Sequence, residues 1–141
     1  MRDLVKRGRV SLPIRELALT LIRHLDGKDW TGEVAALHQF VRDNIRYVKD
    51  VRGVETVATP ERTLSYGQGD CDDQVVLLGS LLESIGHPYR FVAIGTRSPF
   101  SFNHVFGETK IGPQWVSVET TEPVEVGWKP ENILTAMVQN V

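Results

Sequence analysis

The sequence contains one cysteine, Cys71, so an intramolecular disulfide is excluded and the paired thiolates of most structural zinc sites are missing. It has no long apolar run. None exceeds four residues, as at 75–78, and the basic start MRDLVKRGRV is followed by no apolar stretch, so neither a spanning helix nor a secretory signal is expected. It also has no excess of one charge: 16 basic and 18 acidic side chains give a net charge of -2 and leave no basic footprint for nucleic acid. Repeats and low-complexity tracts are absent. The expectation is a non-secreted, cytoplasmic protein with neither a membrane nor a nucleic-acid partner. With 41% hydrophobic residues in 141, the chain suits one domain, residues 1–141, built around one core.

Helical periodicity dominates the first half. Ser11 can cap a helix with Pro13 in its first turn, and Ile14, Leu17, Leu21, Ile22 and Leu25 recur at helical spacing until Gly27. A second helix starts near Thr31 and runs through Val34, Leu37, Val41 and Ile45 to about Tyr47. Residues 49–69 lose periodicity and gather Gly53, Pro60, Gly67 and Gly69, which predicts an irregular segment with room for one short helical turn. Residues 74–85 are nearly all apolar and stop at Gly86, the pattern of a buried central helix. Then the pattern changes. Residues 89–94, 102–108 and 114–120 are rich in β-branched and aromatic residues, which predicts three strands, while the tail 124–141 gives no clear assignment. The fold class is α+β: N-terminal helices and a central cysteine-bearing helix packed on an antiparallel sheet.

Cys71 sits in Gly69-Asp70-Cys71-Asp72-Asp73, at or near the first position of the central helix, where the helix dipole and free amides favour a thiolate. The neighbouring carboxylates oppose this unless they are engaged elsewhere, so an imidazolium is needed nearby. Taken alone, such a cysteine is an ordinary small buried residue and its aspartates are helix caps. Asp70, Asp72 and Asp73 read as acids that complement the dipole at a helix start and not as a cation site.

The strand pattern brings an imidazole and an acid together. If 102–108 and 114–120 form a hairpin with a four-residue loop, 110–113, then Thr109 faces Gln114 and His104 lies directly opposite Glu119. Their Cβ atoms would be about 5 Å apart on one face, within reach of a carboxylate–imidazole hydrogen bond. A cross-strand surface pair is the alternative. His24, His38 and His87 fall on helices or in a turn and read as structural or solvated; Trp30, Trp115 and Trp128 read as packing residues, although Trp115 shares the expected strand face of Glu119.

With these positions in place, the sequence resembles the transglutaminase-like superfamily, especially its short stand-alone bacterial and bacteriophage members. VRDNIRYV (41–48), TPERTL (59–64), GDCDDQVVLLGSLLESIGHPYRFV (69–92), NHVF (103–106) and WVSVETTEP (115–123) carry the likeness, in the family order cysteine, histidine, acid. The resemblance implies a papain-like core in which Cys71 is the nucleophile, His104 the base and later acid, and Glu119 the group that orients the imidazole. Glu119 stands where the family usually has Asp, and Glu122 is the substitute candidate. The implied activity is cysteine-dependent amide or peptide hydrolysis, or acyl transfer, through a thioester on protein or peptide substrates, with no cofactor and no metal. The Cys71 amide is one oxyanion donor, Gln68 or Tyr66 is a weakly supported source of the second, and Trp115 a weak substrate-side candidate. Two other readings stay open: a cross-linking transglutaminase or deamidase, and a non-enzymatic phage or bacterial assembly or adaptor module that keeps the fold and binds a structural protein partner.

Overall fold

A computed structural model describes residues 1–49 and 56–141. The helices are α1 (Arg2–Gly8), α2 (Leu12–Ile22), α3 (Trp30–Asn44), α4 (Pro60–Tyr66) and α5 (Cys71–Ser84). Two short strands, β1 (Arg46–Tyr47) and β2 (Gln68–Gly69), pair in parallel. The main sheet contains β3 (Tyr89–Gly95), β4 (His104–Ile111), β5 (Gln114–Ser117) and β6 (Thr135–Asn140), in the order β5-β4-β3-β6 with every pair antiparallel. Part of the irregular segment expected at 49–69, including Gly53, lies outside the described residues, and its later part holds α4 and β2.

Helix α5 is the hub. Eleven of its 14 residues are buried, so it has no broad solvent face and must be covered on nearly all sides, as the two apolar stretches at 75–78 and 81–82 require. The other four helices all pack on it, and so do β3 and β4. Gly86, with φ of 92°, stops the chain after α5, and the His87 amide donates to the Leu82 carbonyl at 3.0 Å. His87 also bonds Glu33 at 2.8 Å, which ties the start of α3 to this turn.

Close approach is built in at three glycines. A Cβ on Gly8 of α1 would collide with the Ser80 side chain of α5. Gly79 of α5 and Gly107 of β4 lie against the same fully buried ring, Tyr89, which meets Phe91 edge-on at 5.6 Å. Helix and strand can therefore approach to the distance that one aromatic ring sets.

Four expectations change. Helix α2 ends at Ile22 instead of reaching Gly27, and α3 ends at Asn44, three residues before Tyr47, so that β1 can pair with β2. Helix α1 and strand β6 have no counterpart in the sequence pattern. The β4–β5 turn is two residues long, Gly112-Pro113, so Ile111, not Thr109, faces Gln114. Gly112 has φ of 60° and proline fixes the next φ, the pattern of a type II′ turn, which suits a two-residue hairpin better than a four-residue loop.

Candidate active site

The sequence Gly-Asp-Cys-Asp-Asp builds the Cys71 position from its own side chains. Asp70 is the N-cap of α5: its carboxylate accepts from the Asp73 amide at 3.0 Å, and Asp73 accepts in return from the Asp70 amide at 3.2 Å. Asp73 also accepts from the Ala58 amide at 2.8 Å, which pins the segment leading to α4. Both carboxylates are thus engaged with backbone donors, and Cys71 is left at the first helical position, half-buried, with the helix N-terminus behind it. Gly69 allows this closure, since a Cβ there would meet the Asp73 side chain.

His104 opens β4, pairs with Ile94 of β3 and stacks near Phe106, ring centroids 6.4 Å apart. Its Nε2 lies 2.5 Å from Glu119 Oε2. An ionised carboxylate only accepts, so Nε2 carries the proton of that bond and Nδ1 is the nitrogen available to the Cys71 thiol, with which the ring also hydrogen-bonds. The imidazole bridges thiol and acid.

Glu119 lies two residues beyond the end of β5. Continuing the observed register would set it opposite Phe106, a diagonal neighbour of His104 and not its direct partner. The slip from the expected register is two residues, which preserves side-chain parity, so the contact forms from a different ladder. Because the ladder does not hold Glu119, other bonds do. Its Oε1 accepts from the Thr121 amide at 3.0 Å and the Thr121 hydroxyl at 2.9 Å. Its backbone carbonyl accepts from His38 Nε2 at 2.5 Å. His38 is 1% exposed and comes from α3, 81 residues away in sequence. Its sequence setting suggests no more than a structural or solvated residue, yet it fixes the backbone of the acid that holds His104. Nothing local marks it, since the partner is a main-chain oxygen across the fold.

Burial opposes charge on His104, but hydrogen bonds to Cys71 and Glu119, and their charges, outweigh it and raise its pKa to about 10. Burial likewise pushes the Glu119 carboxyl up, and the His104 and Thr121 bonds overcome this to leave it below its ordinary value. His38 is lowered, chiefly by burial, and the neutral ring donates its Nε2–H to the Glu119 carbonyl. The His104 contribution to stability is therefore complete below its unfolded value of 6.5 and disappears as pH rises through about 10. The Glu119 contribution is present above 4.5 and is lost as pH falls through its depressed value. Urea midpoints of wild type minus Glu119→Gln, measured across pH, are expected to differ most between those two unfolded values and to converge towards pH 10. A difference that does not vary with pH would show the pair to be uncharged.

The weaker candidates scatter. Gln68 and Tyr66 are exposed and line a cleft with Val48, Arg62 and Gly69 beside the start of α5, where Arg62 lies over the Tyr66 ring. Trp115 pairs with Lys110, six residues along β4 from His104, and lies under Arg90, whose guanidinium carbon is 4.2 Å from the ring centroid; it is not brought to Cys71. Glu122 lines a second cleft, on the His104 side, with Tyr47 and Trp128, and makes no ion pair among the described residues.

A family model described as the transglutaminase-like superfamily matches residues 20–120, more than half of the chain and all three positions of the bridge. The chain belongs to the transglutaminase-like superfamily. No curated protein matches it. Among solved structures it is similar to a candidate cysteine protease from Cytophaga hutchinsonii, with 18% identity, a TM-score of 0.62 and coverage of 90% of this chain and 46% of that one. A candidate protease from Parabacteroides distasonis gives 14%, 0.68, 83% and 25%, and LapG from Legionella pneumophila 16%, 0.60, 86% and 72%. This superfamily chain thus spans about half and a quarter of the first two proteins, and the likeness establishes a shared fold.

Proposed function

We propose that the chain is a cysteine-dependent amide or peptide hydrolase that works through a thioester on Cys71. The observation that carries this reading is the single imidazole hydrogen-bonded to both the Cys71 thiol and the Glu119 carboxylate. Superfamily membership and protease-named structural neighbours support it. His104 holds its proton at neutral pH, so an imidazolium faces the Cys71 sulfur and can supply the proton the leaving group needs.

The Cys71 sulfur attacks the carbonyl carbon, and the resulting oxyanion takes a hydrogen bond from the Cys71 amide, which has no intrahelical acceptor, with the Gln68 side chain the candidate second donor. Nδ1–H of His104 protonates the departing amine and the C–N bond breaks, leaving the thioester. The neutral imidazole then takes a proton from water, whose oxygen adds to the thioester carbonyl; the acid leaves and the thiolate–imidazolium pair is restored. Glu119 holds the ring by Nε2 throughout. An amine in place of that water would make the same site a transferase.

Incubating a peptide mixture in heavy-oxygen water with an added alkylamine separates these outcomes. New carboxylates bearing the heavy oxygen, absent with Cys71→Ala, are the expected result. Alkylamide products instead would assign transamidation. Neither product, with Cys71 alkylation still dependent on His104, would remove the hydrolase reading and favour a binding module.

A further inference from the structure

The cleft of about 290 Å³ beside His104 has walls that the proposed chemistry leaves unused. Tyr47 of β1 and Trp128 of the β5–β6 connection face it, both partly exposed. Its charged side chains are the imidazolium of His104 and the carboxylate of Glu119, which offset one another as a pair, and Glu122; among the described residues no Lys or Arg lines it. The basic residues of this region, Arg42 and Arg46, line a neighbouring groove that shares the Tyr47, Thr121 and Glu122 wall, and Arg42 is already bonded to Asp43 and Glu125.

Two aromatic rings and an uncommitted carboxylate form an environment for an organic cation, through the negative ring faces and direct charge attraction. The proton inventory says which part of a substrate reaches it. The departing amine takes its proton from His104, so that half of the substrate must lie on the imidazole side of the sulfur, where this cleft opens. We infer that the departing half of the substrate carries a cationic side chain, of lysine or arginine type, seated between Tyr47 and Trp128 with its charge towards Glu122. This specificity rests on the thioester reading, but its recognition surface can be tested without turnover.

The probes are methanethiosulfonates bearing a trimethylammonium, a sulfonate or only a methyl group. In each case the Cys71 thiolate attacks the sulfenyl sulfur, a mixed disulfide forms and methanesulfinate leaves. Glu122→Gln is expected to cut the trimethylammonium-to-methyl rate ratio about fivefold, the factor given by one charge–charge interaction of roughly 1 kcal/mol, and to raise the sulfonate-to-methyl ratio by a similar factor. Unchanged ratios overturn the inference. His104→Ala acts as the separate control: if the methyl reagent reacts equally fast without the imidazole, the thioester reading fails, while the Glu122 comparison still decides the cation cleft. Among products of an active enzyme, new N-termini enriched in lysine or arginine support the assignment, and acidic or apolar enrichment overturns it.

Discussion

Replacing His104 with alanine is expected to change the pH dependence of Cys71 alkylation from nearly flat to steep. An ordinary thiol titrates near 8.5 and is only about 0.3% ionised at pH 6. In the wild type the imidazolium, present up to about pH 10, keeps the sulfur supplied with a counter-charge, so iodoacetamide should react at a similar rate from about pH 6 to 9. A counter-charge beside the sulfur favours its reactive form at low pH, but a stabilised sulfur anion is a weaker nucleophile, which returns part of the gain. The net expectation is a rate about tenfold higher in the wild type at pH 6, falling to parity or below near pH 9. Two parallel profiles would mean that the imidazole does not act on the sulfur. The variant also leaves the 1%-exposed Glu119 carboxylate without its main partner, although Thr121 still donates two hydrogen bonds. Some loss of stability is therefore expected, and the rates should be taken on protein shown to be folded, with His104→Gln as a second variant.

The largest stability effect is expected from a residue with no chemistry. A Cβ on Gly107 would lie within 2.5 Å of Cε2 of Tyr89 and closer still to Cζ and the hydroxyl oxygen. The ring cannot retreat, because on its other side Gly79 of α5 is already so close that a Cβ there would be 2.5 Å from Cδ1 and Cε1. Overpacking of this kind costs about 1–3 kcal/mol where neighbours yield, and more where they do not. Gly107→Ala should therefore lose at least about 3 kcal/mol in urea unfolding. The contrast is Tyr89→Phe: the hydroxyl is buried and has no hydrogen-bond partner among the described residues, so its removal should be neutral or stabilising by about 1 kcal/mol. A Gly107→Ala variant as stable as wild type would mean that the ring is free to move.

The position of Cys71 at a helix start was legible because its signals are local. Gly69-Asp70 followed by Asp73 is a helix start written in one short stretch, and it puts Cys71 at the first position with its aspartates already occupied. The histidine–acid contact was legible for a different reason: side-chain parity along a strand survives a two-residue error in register. The illegible parts depend on distant partners. Seven-residue α1 is too short to be stable alone and is held by Val5 and by Gly8 against Ser80. Strand β6 keeps Met137 and Val138 exposed, so it shows no alternation of buried and open positions. His38 looks like any histidine on an apolar helix face until the Glu119 carbonyl is placed against it.

The dispersal of the bridge along the chain sets when reactivity can exist. A nascent chain that has emerged only to residue 103 carries the thiol of Cys71 with no imidazole opposite it, and one that ends before 119 has an imidazole with no acid behind it. Even then the acid needs His38 of α3 to hold its carbonyl, and β3 lacks its outer neighbour until β6 arrives at residues 135–140. Cys71 is thus synthesised well before the residues that surround its sulfur in the fold.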